Sequence, residues 1–504
     1  MPTLAELMRK GRPVVERRPL WSRCLAGPEL WGEAAEGLAE GRWTLAGLWG
    51  EPAAVHMAIL DEANAELGIV SYACPDGSFP SVGRRSAPAI RPERAIADLF
   101  GLRAVGAPDP RPWLDHGKWG LRHPLGAAGP GDAAPAPYAF LPVEGEGLHQ
   151  VAVGPIHAGI IEPGHFRFTV SGETVVRVEQ RLGYAHKGTE GLMAGRNLTD
   201  AGRLAGRVSG DSTVAYALAF ARAAESALGL EVPLRAHWLR ALMAELERLA
   251  NHLGDIGAIC NDASFALMHA HTGVLRERVL RAADHAFGHR LMRDRVVPGG
   301  VAADLDEEAF ITLRDLLAEL RRRFPSLVGL YDNTTSLQDR TVGTGIVDPA
   351  LARQFGAGGY VGRASGRGFD ARKAFAYAPY DALRFEVPVR QEGDVDARVW
   401  IRIREVEESL SLVEQILDGL PGGTVRVDAR SGGQGEGLGL VEGFRGDILV
   451  WLRLAPDGTV ARCHLRDPSW FQWPLLEAAI EGNIIADFPL CNKSFNCAYS
   501  GHDL

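Results

Sequence analysis

The 504-residue chain is 46% hydrophobic and 23% charged, ordinary values for a globular protein long enough for more than one core. A formal charge of -9 and a pI near 6.0 exclude a broad basic field of the kind that attracts nucleic acid. Met1–Leu20 is charged rather than apolar, and no apolar run approaches the ~18 residues that span a bilayer. The expectation is a cytoplasmic chain with no direct membrane span, reaching the inner face of the cell membrane only through partners.

Taken in chain order, short apolar runs at 43–49 and 54–60 predict strands, and 91–100 predicts a helix, giving a small α+β module over residues 1–125. Gly126–Pro137 is built from small residues and three prolines, so residues 126–140 are expected to be a linker. Residues 141–504 form the second module. Alternation at 166–170 and 174–178 around Ser171-Gly-Glu173 predicts a β-hairpin. Three-to-four spacing predicts helices at 213–228, 234–259, 272–288, 306–323 and 395–417. A further hairpin is expected at 447–454 and 460–465, and Gly432–Gly439 reads as a flexible loop because it lacks a phosphate-loop spacing. The fold class is therefore α+β: a small module, then a helical bundle with peripheral hairpins.

The six cysteines (24, 74, 260, 463, 491 and 497) are scattered, with no C-x-x-C pair, which argues against a disulfide framework. Glu245, Arg248 and His252 share one helical face and read as a polar network bracing the bundle. His157 and His165, eight apart on a hairpin, read first as structural hydrogen-bonding groups. Asp211, just before a helix, is expected to cap it, and Arg207 is either an anion-facing charge or a partner for Asp211. Glu162, at a Pro-Gly turn, is either a surface residue or a carboxylate facing a cavity.

Several segments in order carry a resemblance. Asp98-Leu-Phe-Gly-Leu-Arg103 and His123-Pro-Leu125 resemble the end of the small peripheral-arm subunit of complex I. Gly154-Pro-Ile-His157, Arg181-Leu-Gly-Tyr-Ala-His-Lys-Gly-Thr-Glu190, Glu245–Leu253, Gly368–Lys373 and Ile485–Asp487 resemble its quinone-site large subunit, and the 154–165 segment resembles the large subunits of group-4 nickel–iron hydrogenases. The resemblance spans nearly the whole chain and implies two fused subunits of a membrane-bound energy-converting oxidoreductase.

The hydrogenase half of that family binds nickel and iron through two C-x-x-C pairs, which the quinone-reductase half also lacks. Here Ser209 and Ser212 stand at the first pair, and the second falls on Ala498 and Gly501 or, one residue shifted, on Cys497 and Ser500. Hard hydroxyls are poor ligands for this metal pair, so the expectation is that this chain itself binds no metal or cofactor. The resemblance further implies an iron–sulfur small subunit carrying a 4Fe–4S cluster and ion-translocating membrane subunits as partners. An unidentified acceptor, with quinone a candidate, is expected near Glu162, Asp211 and Arg207, and His157, His165 and His186 are candidates to hold a quinone. The family's quinone-binding histidine and tyrosine fall at Pro163 and Arg207, neither of which can protonate a quinone. Two alternatives stand beside this: an NADH:quinone oxidoreductase subunit, with NAD handled elsewhere in the complex, and a structural coupling subunit with no redox substrate.

Overall fold

The computed structural model describes residues 3–15, 21–131, 137–157, 161–429 and 433–504. The N-terminal sheet has the order β1 (Arg12–Val15), β2 (Trp21–Ala26), β5 (Glu66–Ala73), β4 (Ala54–Asp61), β3 (Thr44–Glu51), flanked by α1 (Leu4–Lys10), α2 (Pro28–Ala39) and α3 (Ile90–Phe100). Short pairs follow: β6 (Ser78–Pro80) with β7 (Arg103–Val105), and β8 (Leu121–Arg122) with β9 (Gly129–Pro130). The expected linker thus begins by pairing back on residues 121–122, and its residues 132–136 lie outside the described residues.

The second part opens with a three-stranded sheet of β10 (Leu148–Val153), β11 (His165–Ser171) and β12 (Thr174–Arg181). Two short helices, α4 (Thr189–Met193) and α5 (Leu198–Ala205), lead to α6 (Thr213–Leu228), α7 (Leu234–Asp262), α8 (Ala266–Phe287), the ribbon β13–β14 (Val296–Val297 and Gly300–Val301) and α9 (Glu307–Asp332). Four short helices, α10 (Thr335–Thr341), α11 (Pro349–Gln354), α12 (Gly359–Ala364) and α13 (Ala371–Ala374), precede α14 (Val395–Gly419). The chain ends with the sheet β15 (Gly435–Gly443), β16 (Gly446–Leu454), β17 (Val460–Arg466) and helices α15 (Ser469–Ile480), α16 (Phe488–Phe495) and α17 (Tyr499–Asp503). Mixed helix and strand of this kind is an α+β fold, and the predicted hairpins and long helices are present, with α8 starting six residues before and α9 ending nine residues beyond the expected limits.

One expectation fails. The glycine-rich stretch read as a flexible loop is, from Gly435 onward, a fully paired strand, while Gly432 lies outside the described residues. Its alternate glycines face α6: a Cβ on Gly435, Gly437 or Gly439 would overlap the carbonyl oxygen of Ala227, Ala223 or Ala219 respectively. Glycine every second residue on the strand meets alanine every fourth residue on the helix, so the two backbones touch. Glycine spacing here encodes close packing rather than freedom.

The two parts of the chain share their cores. Trp21, Trp49, Leu60 and Ile69 of the N-terminal sheet pack against Leu438, Leu440, Leu449 and Trp451 of β15–β16. The hairpin β15–β16 is therefore pinned from both sides, and its turn, Gly443–Gly446, carries Phe444 and Arg445 into the interior.

Candidate functional site

Arg445 is the residue around which the site is built. Its guanidinium donates to both carboxylate oxygens of Asp211, at 2.7 Å from Nη1 and 2.5 Å from Nη2. Nη1 is also 3.5 Å from Ser212 Oγ, and Nε donates to the carbonyl of Asn496. One side chain therefore ties the Ser209–Ser212 loop to the Asn496–Cys497 segment, the two places where the resemblance puts metal ligands. Ser209 Oγ donates to Asp211 Oδ1 at 2.6 Å, so the hydroxyls serve the carboxylate. Burial pushes the Asp211 carboxyl upward, but the charge and hydrogen bonds of Arg445, with Ser209, outweigh it and hold the group below its usual range.

A Cβ on Gly501 would meet the Asp467 carboxylate, which also accepts from Tyr216 Oη at 2.7 Å, and Ala498 N donates to Ser469 Oγ at 2.9 Å. At most one thiol of four positions remains. Burial raises the Cys497 thiol well above its ordinary range, against the nearby charge of Arg445, and burial lifts Cys491 to about 11. The spacing partner of Cys491, Ser494, accepts from Arg398 Nε at 2.9 Å and donates to the Cys491 carbonyl at 2.6 Å, a structural use of both. A nickel–iron centre does not fit this donor set: protonated thiol, hydroxyls and a cation cannot stand in for four thiolates. Among the described residues no group of three or more His, Cys, Asp or Glu side chains is placed to hold a metal ion.

The remaining predicted residues divide. Glu162 is exposed, and its Oε2 accepts from Ser500 N at 3.0 Å. Lys187 Nζ donates to the carbonyls of Ser500 at 3.3 Å and Val208 at 3.5 Å, so Glu162, Ser500, Lys187 and the Ser209–Asp211 loop form one continuous polar edge. Burial lowers the Lys187 pKa, opposed by the charges of Glu162 and Asp503. Arg207, by contrast, turns outward to an exposed pair with Asp294 at 2.7 Å and does not meet Asp211. The expected capping by Asp211 is also corrected. Its side chain is taken by Arg445, and Glu247 of α7 caps α6 instead, accepting from Val214 N at 2.6 Å and Ala215 N at 3.0 Å. Burial pushes Glu247 up to about 8 despite those bonds. A cavity of about 250 Å³ is lined by Asp211, Glu247 and Asn251 together with Arg276, Arg290 and Met292.

The three histidines do not share one pocket. His165 begins β11, with Nδ1 3.3 Å from the Gly154 carbonyl, and its ring lies 5.0 Å from that of Phe140. His157 lies beside Phe166, at 6.1 Å between ring centroids. His186 lies tilted against Trp119 at 4.9 Å between ring centroids, donates through Nδ1 to the Asp503 carbonyl at 2.6 Å, and lines a separate apolar cavity of about 380 Å³ with Phe100, Leu125 and Trp470.

Sequence reasoning missed Arg445, Glu247 and Lys187. An arginine in a hairpin turn bounded by two glycines looks like a solvent-facing residue, and only the partners around the turn reveal that it is buried.

Fold and site together define a large subunit of the hydrogenase type without the thiolates of a nickel–iron centre. The description "Nickel-dependent hydrogenase" matches residues 187–254, and "Respiratory-chain NADH dehydrogenase, 49 Kd subunit" matches residues 263–433. Formate hydrogenlyase subunit 5 of Escherichia coli is 33% identical over 436 residues, covering 84% of this chain and 77% of the relative. An NADH-quinone oxidoreductase subunit of Syntrophobacter fumaroxidans is 32% identical, covering 70% of this chain and 95% of the relative. A subunit of the membrane-bound sulfane sulfur reductase, an archaeal respiratory membrane complex, superposes with a TM-score of 0.67 at 27% identity, covering 72% of this chain and all (100%) of the other. The chain belongs to the family that unites nickel–iron hydrogenase large subunits with the 49 kDa subunits of complex I. No helix among the described residues is long and apolar enough to cross a membrane.

Proposed function

We propose that this chain is the electron-delivery subunit of a membrane-bound energy-converting complex in which a diffusible acceptor, rather than a nickel–iron centre, receives electrons. The donor is the 4Fe–4S cluster of a neighbouring iron–sulfur subunit, and ion-translocating membrane subunits complete the assembly. The observation that carries the reading is the Arg445 guanidinium, which joins Asp211, Ser212 and Asn496, in the two segments where the resemblance puts the family's metal ligands. Relatives that are subunits of a membrane-bound hydrogenase and of NADH–quinone oxidoreductase support the complex. The chain's own groups at the edge (Glu162, Lys187, Asp211 and Arg445) bind, orient and supply protons to whatever reaches them. A quinone is one candidate acceptor, disfavoured by Pro163 and by the outward turn of Arg207. A sulfane-sulfur compound is the other, favoured by the structural relative and by the cationic Arg445 and Lys187. A purely structural subunit is the reading to beat. In membranes holding the whole complex, electron flow from reduced donor should proceed to one of these acceptors and fall at least tenfold in Arg445→Met, with no hydrogen uptake. Unchanged flow to both acceptors in the variant would leave the structural reading standing.

A further inference from the structure

On the other side of the same hairpin turn lies a second buried ionic cluster that electron delivery does not use. Arg363 of α12 donates through Nε to Glu405 Oε1 at 2.7 Å and through Nη1 to Glu442 Oε1 at 2.9 Å, with Asp370 Oδ2 at 3.3 Å. Arg372 holds Asp370 at 2.7 Å and Glu245 at 2.9 Å. Arg248 lies 3.3 Å from Glu245 and 3.8 Å from Glu405, and donates to the main-chain carbonyls of Glu442 and Gly443. His252 Nε2 meets Glu405 Oε2 at 2.7 Å. All of these side chains are buried.

The charges in this cluster do not balance. Three guanidiniums (Arg248, Arg363, Arg372) face four carboxylates (Glu245, Asp370, Glu405, Glu442), and neighbouring ions are already committed: Arg402 to Asp255, and Asp447 to Arg466. Arg222 of α6 is a further cation nearby; its guanidinium lies 4.4 Å over the Tyr377 ring, whose hydroxyl accepts from the Glu442 main-chain amide at 3.4 Å, and Lys373 donates to the Phe385 carbonyl. An uncompensated negative charge in a dry core is costly enough that such a site takes a proton instead. Of the four carboxylates Glu442 is the least supported: one arginine and the amide of Ala371 at 2.9 Å, against three or more donors for Glu245 and Asp370 and the Arg363–His252 clamp on Glu405. We infer that the cluster is a binding site for a single proton, which resides on the Glu442 carboxyl and is released and regained reversibly.

Three further features agree. Burial, with the charge of Asp370, pushes Glu442 up to about 7, against the pull of Arg363, while burial lowers His252, which keeps the imidazole neutral. This proton store lies three residues from Arg445 along β15–β16, so any charge arriving at the Arg445 site acts on it through a low-dielectric interior. The reaction balances simply: one proton added to a cluster of net charge minus one gives a neutral cluster. Only the link to the Arg445 site rests on the function proposed above.

The test is infrared spectroscopy of the full chain labelled with ¹³C-carboxyl glutamate, titrated from acid to alkaline pH. A carboxylic-acid carbonyl band that shifts with the glutamate label, disappears as pH rises through neutrality and is missing in Glu442→Gln would establish the store. No such band, a band untouched by the label, or an imidazolium titration at His252 in its place would overturn it. Because Glu247 is also a buried acid with a raised pKa, the band is assigned by comparing Glu442→Gln with Glu247→Gln: loss in the first alone supports the store, and loss in the second alone overturns it.

Discussion

The hairpin β15–β16 separates two polar regions that solve the same problem differently. At its turn, Arg445 meets one carboxylate, Asp211, and the pair is complete, with serine hydroxyls filling in around it. Behind it, around Glu442, four carboxylates share three guanidiniums. The first region has a fixed charge and borders a cavity; the second is sealed and carries one acid too many. A paired site holds geometry, and an unbalanced one responds to pH. The difference follows from counting partners rather than from residue type, since both regions are built of arginine and acid.

The largest effect should come from breaking the balanced pair. Arg445→Met leaves Asp211 without its cation, and removing one partner of a fully buried pair typically costs about 3–5 kcal/mol. Asp211 keeps 33% of its side chain exposed, so we expect a smaller loss, about 2–3 kcal/mol, by denaturant unfolding, largely recovered in the double variant with Asp211→Leu. A loss below about 0.5 kcal/mol would mean that the pair does not hold the two segments together. Gly437→Ala, which pushes a methyl into the Ala223 carbonyl, should cost about 1–3 kcal/mol, while Gly433, with open space around it, tolerates alanine.

A gentler change separates the cap from the store. Glu247 has its folded pKa raised to about 8 from the ordinary 4.5, so its contribution is fully present below the ordinary value and is lost as pH rises through about 8. Wild-type stability should therefore decline by about 1–2 kcal/mol as pH passes through the upper part of that window, and Glu247→Gln should flatten the decline. An identical slope in the variant would assign the pH dependence elsewhere.

Much of the fold was readable beforehand because periodicity reports burial. The 213–228 helix, the 166–178 hairpin and the polar face of Glu245, Arg248 and His252 all stand where their spacing put them. The absence of any C-x-x-C pair is read from residue identity alone. What the sequence could not show was partnership across long separations. Arg445 and Asp211 are 234 positions apart, and Glu247 caps α6 through the amide of Val214, 33 positions before it. Asp211 looked like a cap because local rules favour it there, and a distant arginine overrode those rules. The glycine-rich strand was misread for a related reason: its meaning lies in the alanines of α6, which no local window includes.

The most direct test is the nickel and iron content, per copy of this chain, of the complex purified from its own membranes. The account predicts nickel near zero together with several irons, the latter belonging to cluster-bearing partners. Nickel approaching one per chain would contradict it, because Ser209, Ser212, Cys497 and Ser500 would then have to ligate a metal in the space that Arg445 occupies.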